Sequence, residues 1–255
     1  MKEQRKLNKG GKMLLLFTLV ISSIFLLRPF TVKADVNVNI NKETQIVTDL
    51  IGQYSINYTG DANFFGFYGY YENNNYNEMV KDTDFKATVD TIGKDKIVNS
   101  SIASLKKTDG ATQIEAAYLV WETSVQGKNN TDLVKKAANK AVYFAGSTDK
   151  GAFTKKVNAS YAAVDMREPH LGTKEYTFSC MYTDVTATVQ KYGYGKYGVA
   201  NIPYVESTEK SNTSKGTHSG ESSAAWQLIV IEKNSKANVR AVSLKIGSHF
   251  NYQWE

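Results

Sequence analysis

The chain has little of what catalytic, metal-binding or stapled proteins carry. Its 255 residues include one cysteine, Cys180, and three histidines, His170, His218 and His249. A lone cysteine closes no intramolecular disulfide, which excludes a disulfide scaffold. No histidine is spaced with a second histidine or a glutamate as HExxH requires, and no DxDxDG-type run gathers the oxygen ligands that calcium needs. Gly220-Glu221-Ser222 has the start of a nucleophile elbow, but Ala224 stands where its closing glycine belongs. The expectation is a non-enzymatic protein with no cofactor and no metal.

Blocks of like charge are also missing once the N-terminus is set aside. Residues 1–12, MKEQRKLNKGGK, hold five basic residues and one acidic. They precede the apolar run MLLLFTLVISSIFLL and then RPFTVKA. A basic segment, a fifteen-residue apolar run and small residues at Val32 and Ala34 make a secretory signal. Cleavage is expected after Ala34, with no membrane span left in the mature chain. The whole chain carries 31 basic and 25 acidic residues. Residues 1–34 account for seven and one of these, so the remainder balances at 24 of each. A neutral mature chain argues against nucleic acid as a partner, because that recognition rests on a concentrated positive charge. The expected location is secreted or extracellular, at or near a cell surface, and residues 35–255 are long enough for a single domain with a sizeable core.

Strand signals run through most of that domain. TQIVTDLIGQYSINYT (44–59), FKATVDT (85–91), QIEAAYLVWETS (113–124), AVYFAG (141–146), KEYTFSCMY (174–182), residues 198–205, AWQLIVIE (225–232) and NVRAVSLKI (238–246) are rich in β-branched and aromatic residues. EKSNTSKGTHSGESS (209–223) has the composition of a mobile loop, and only DLVKKAANK (132–140) and DVTATVQK (184–191) look helical. Many strands and one or two short helices predict an all-β fold, a β-sandwich of jelly-roll type. Trp121 and Trp226, on apolar strands, are expected in its core.

Three segments in order, AAYLVWETS (116–124), YTDVTATVQKYGYGKYGVANI (182–202) and AAWQLIVIEKNSKANVRAVSLKIG (224–247), resemble the N-terminal domain at the head of large Gram-positive cell-surface proteins. The resemblance covers about residues 113–247. It implies an adhesin-like β-sandwich ahead of repeated surface modules, engaged in cell adhesion through an extracellular protein or glycan ligand, and no catalysis. In the matched segment Asp184 stands before Val185-Thr186, where its carboxylate can accept from the free N–H groups of the following turn, a structural cap.

Two places invite a functional reading. FFGFYGYYENNNYN (64–77) has seven aromatic rings in fourteen residues. As a strand it would put Phe65, Phe67 and Tyr71 on one face and Phe64, Tyr68 and Tyr70 on the other. The plainer reading is a strand buried on both faces followed by a polar turn; in the functional one the face with Tyr68 and Tyr70 is exposed, because tyrosine tolerates water at its polar tip, with Phe65 and Phe67 in the core. Asn73, Asn74 and Asn75 read as a loop beside it, and together these five residues form a candidate ligand-binding surface, in the alternative a carbohydrate-binding module. The second place is Cys180 with Gln227, a glutamine on an otherwise apolar strand. Thioester adhesins join a cysteine thiol to a glutamine side chain, while the plainer reading is a buried free thiol behaving as a small hydrophobe.

Overall fold

The computed structural model describes residues 38–39, 45–66, 74–75, 77–126, 131–167, 176–204, 210–213, 216–219 and 222–247. They form an all-β, sandwich-like fold of two mainly antiparallel sheets, the larger curled into a half-barrel. The large sheet has the order β1 (Val38–Asn39), β8 (Tyr161–Arg167), β9 (Tyr176–Asp184), β5 (Ala111–Gln126), β13 (Ser222–Asn234), β2 (Gln45–Gly66) and β14 (Val239–Ile246), with β3 (Asn74–Asn75) paired to β2. The small sheet runs β4 (Ser100–Leu105), β10 (Gly195–Ala200), β6 (Val142–Thr148) and β7 (Gly151–Val157), and β11 (Lys210–Thr213) forms a hairpin with β12 (Gly216–Ser219).

Side-chain alternation decides what each sheet buries. The register between β5 and β13 sets Trp121 opposite Trp226, Leu119 opposite Leu228 and Ala117 opposite Val230, and all six are in the core between the sheets. The small sheet answers with Val142, Phe144, Phe153, Tyr197 and Val199. Phe144 stacks on Tyr197 at 5.6 Å and meets Phe153 edge-on at 5.3 Å, the arrangements aromatic quadrupoles favour. On the opposite face of the large sheet a second cluster joins Tyr118, Tyr182 and Ile231 to Tyr54, Val242 and Ile246, where β14 and the first half of β2 curl across it.

A buried polar network bonds one sheet to the other. At β2 the register with β13 shifts between Ala224 and Ala225, which pair with Phe64 and Ala62, so Asn63 is the extra residue of a bulge and is 0 % exposed. Its amide donates to Asn99 Oδ1 and to the Val199 carbonyl, both at 2.9 Å, and its oxygen accepts from Ser101 Oγ at 2.6 Å. Ser101 Oγ also accepts from Trp226 Nε1 at 2.8 Å. Asn99 donates to the Ile202 carbonyl and accepts from its N–H. Beside it Asn201, at φ 59°, takes a backbone conformation that asparagine tolerates and bonds both Val98 N and the Lys96 carbonyl.

Among the described residues there are four short α-helices, α1 (Glu78–Lys81), α2 (Lys86–Ile92), α3 (Thr131–Ala138) and α4 (Thr186–Tyr192), and two single 3-10 turns, Thr83–Phe85 and Lys94–Lys96. The segment 85–91 was expected as a strand and is helical instead. Phe85, Val89 and Ile92 fall at helical spacing and cover Ala145 and Ala200 on the outside of the small sheet together with Met79, so tertiary burial overrides the β-branched composition. The approach is close: a Cβ at Gly198 would sit 2.6 Å from Met79 Cε. Lys196 holds the turn before α2 by pairing with Asp82 at 2.9 Å and Asp84 at 2.8 Å, and its ammonium keeps the Asp82 carboxyl below the usual range. The stretch 209–223, expected as a loop, contains the β11–β12 hairpin.

Asn63→Ala leaves the polar groups of Asn99, Ser101 and Val199 short of a partner in a site closed to solvent. The variant should unfold at lower urea concentration with a loss of about 1–3 kcal/mol or more, several groups being orphaned at once.

Candidate functional site

Three connections converge at one end of the sandwich: the β4–β5 loop, the β6–β7 turn and the link from α4 to β10. They line an open groove of about 470 Å³, within the roughly 300–1,000 Å³ usual for ligand sites. Lys107 and the start of β5 from Thr112 to Ile114 line it from the β4–β5 side, Asp149 and Lys150 from the β6–β7 turn, and Gln190, Gly193 and Tyr194 from α4 and the link to β10. Lys107, Gln113, Asp149, Lys150 and Gln190 are exposed, and Tyr194 is half-buried.

The Tyr194 side is held from within. Tyr194 Oη donates to Glu232 Oε1 at 2.7 Å, and Glu232 is 0 % exposed. Its carboxylate also accepts from Ser55 Oγ at 3.2 Å and from Thr108 N at 3.5 Å. Burial, then the bond to Glu232, raises the Tyr194 phenol above its ordinary range, and burial with the field of Asp149 does the same for Tyr197. Tyr197 Oη donates to the Gly193 carbonyl, Asp149 N donates to the Tyr194 carbonyl at 3.1 Å, and Gln190 Nε2 donates to the Ile114 carbonyl at 3.0 Å. Gly193 has φ 74°, and a Cβ there would meet Asp149 Oδ1 at 2.9 Å, so glycine keeps both the turn and the space. Each loop is thereby tied to a strand or to another loop.

The described residues among those singled out in the sequence do not line the groove. Tyr68, Tyr70 and Asn73 are outside the described residues. Asn74 and Asn75, read as loop, form a two-residue strand paired with Phe65 and Phe64. Phe64 is 2 % exposed and stacks on Tyr204 at 4.0 Å, in keeping with the buried reading of this stretch, and the Asn63 bulge is what turns it into the core. Tyr58 is exposed, at 69 %. Asp184 Oδ1 accepts from Thr186 N at 2.7 Å, the first residue of α4.

Cys180 and Gln227 project from the same face of the large sheet, but β5 lies between them. Cys180 pairs with Glu122 and Gln227 with Val120, two residues along that strand, and two strand spacings amount to about 9–10 Å. The fold therefore does not bring sulfur and amide carbon into bonding contact. Gln227 is exposed and Cys180 half-buried. Burial, with the Glu122 carboxylate adding repulsion, pushes the thiol up to about 12. Burial likewise raises the Glu122 carboxyl. A thiol held protonated is a poor nucleophile.

Among the described residues no group of three or more His, Cys, Asp or Glu is placed to hold a metal ion, and no helix is long and apolar enough to cross a membrane. Comparison of the chain with protein-family models, with curated proteins and with solved structures finds no match in any of the three.

The Cys180 environment makes the alkaline limb of stability testable. The folded thiol keeps its proton to about 12, whereas an unfolded one titrates near 9.0, so the stabilisation is complete below pH 9 and is lost as pH rises toward 12. The raised phenols of Tyr194 and Tyr197 act in the same direction from 10 upward. Urea midpoints should fall steadily above pH 9, and Cys180→Ala should flatten the first part of that fall. Iodoacetamide should label native protein slowly and denatured protein fully, whereas a denatured chain about 17 Da light that refuses the reagent would reveal a thioester.

Proposed function

We propose that this chain is a secreted, non-enzymatic, adhesin-like domain of a Gram-positive bacterium, holding a host or matrix ligand at the loop end of its sandwich. The observation that carries the reading is the groove between the β4–β5, β6–β7 and α4–β10 connections, braced by Tyr194 on buried Glu232. Binding residues on loops above a rigid scaffold are the usual way a sandwich recognises a partner. The groups lining the groove include ammonium, carboxylate, amide and the Thr112 hydroxyl, which suit recognition by hydrogen bonds. Export is supported by the basic and apolar segments of residues 1–34, and the adhesin-like class by the order of the segments between 113 and 247.

Two measurements test this reading. Protein recovered from the medium of an expressing Gram-positive host should have the intact mass of a chain starting at Asp35; a mass that retains residues 1–34 would contradict export with cleavage. The purified mature chain should be retained on surfaces coated with extracellular matrix, and the double variant Lys107→Glu, Lys150→Glu should reduce its affinity by about tenfold, or about 1.4 kcal/mol, at an unchanged melting temperature. Equal retention of wild type and variant would remove the groove from the account.

A further inference from the structure

We propose that the groove is a binding site for a neutral saccharide. The inference rests on the reading of the chain as an extracellular binding domain and adds the chemical class of its ligand. Its first support is the supply of uncommitted groups. Lys107, Lys150 and Asp149 are exposed, and none is held in an ion pair with another described residue. Gln113 likewise spends no side-chain hydrogen bond on the described residues, and Gln190 uses its Nε2 on the Ile114 carbonyl and leaves its oxygen over. Ammonium and amide donors and carboxylate and amide acceptors thus line one groove. Sugar hydroxyls donate and accept at the same atom, and a closely spaced set of both kinds of partner is what they need.

The second support is Tyr194. Its hydroxyl is turned inward to Glu232 at 2.7 Å, and the half-buried residue lines the groove while packing in part against the core. An aromatic ring beside polar side chains provides an apolar surface for the C–H face of a pyranose while its hydroxyls reach the rim. The anchoring bond also keeps the ring from following a ligand out, which lowers the ordering cost of binding.

Charge and backbone weigh against other ligands. The two lysines are matched by Asp149 in the lining and Glu232 behind Tyr194, so the groove has no surplus positive charge to favour an acidic polymer. An extended peptide would add itself to an open strand edge, but at the groove Gln190 already occupies the Ile114 carbonyl of β5, and Gln113 is paired with Lys233 of β13. The volume of about 470 Å³ suits one or two sugar rings.

Saturation-transfer NMR on the mature chain tests the proposal, with lactose, mannotriose, maltotriose and the N-acetylglucosamine trimer as neutral probes and sialyllactose and a hyaluronan tetrasaccharide as acidic ones. At least one neutral probe should receive saturation. The double variant Asp149→Ala, Lys150→Ala, confined to an exposed turn, should weaken it by about tenfold, and Gln113→Ala, on the β5 side, should weaken it as well. Preference for the acidic probes would overturn neutrality. Unchanged binding in both variants would overturn the site. If no probe binds but the protein still adheres to enzymatically deglycosylated matrix, the saccharide inference fails and the adhesin-like reading stands. Sugar binding without matrix adhesion would support the saccharide site and overturn the adhesin-like reading.

Discussion

The constraint on which this structure depends is the buried amide of Asn63. It belongs to the large sheet by chain, through β2, and to the small sheet by bonding, through Asn99, Ser101 and the Val199 carbonyl. Trp226 joins from β13 by donating to the same Ser101 oxygen. The hydrophobic effect is not directional, so apolar burial specifies the register of two sheet faces less sharply than hydrogen bonds do. A set of buried hydrogen bonds has one arrangement in which every member is satisfied, and any slip exposes polar atoms to an apolar core. The network thus selects one register of sheet on sheet, and the bulge in β2 is the device that turns Asn63 inward to make it.

The groove inherits that register. Its lining at Asp149 and Lys150 belongs to the small sheet, while its lining at Thr112 to Ile114 belongs to β5 of the large one. The bond from Tyr194, next to β10, to Glu232 of β13 crosses between the same two sheets at the far end of the core from Asn63. The sandwich is therefore stitched by directional bonds at two places, with the Trp121, Phe144 and Tyr197 core between them. A site assembled from both sheets keeps its geometry only while that stitching holds, which couples the packing of the core to the shape of the surface that meets a ligand.

How much of this could be read from the sequence depends on whether local pattern or long-range pairing decided the outcome. Long strands such as β5 and β13 announced themselves by composition, and the two tryptophans on them lie in the core. KATVDT misled because β-branched residues in a seven-residue helix look like a strand until Phe85, Val89 and Ile92 are seen on one side. β4, β7 and β8 are rich in serine, lysine, alanine and glycine, and became strands because neighbours offered them hydrogen bonds. Asn63 carried no local mark of importance. The groove had faint signals in the turn pairs Asp109-Gly110 and Lys150-Gly151 and in the glycines around Tyr194. Their convergence follows from strand order, which no window of sequence contains. The tyrosine-rich stretch drew the eye by composition, yet Phe64 within it serves the core.

Native-state hydrogen exchange on the Asn63→Ala protein addresses the role of the buried network most directly. If the amide sets the register of the two sheets, amides of β4 and β10 should lose protection together with those of β2 and β13, in one cooperative step. Loss confined to the residues of β2 beside the bulge, with the small sheet as protected as before, would contradict the account.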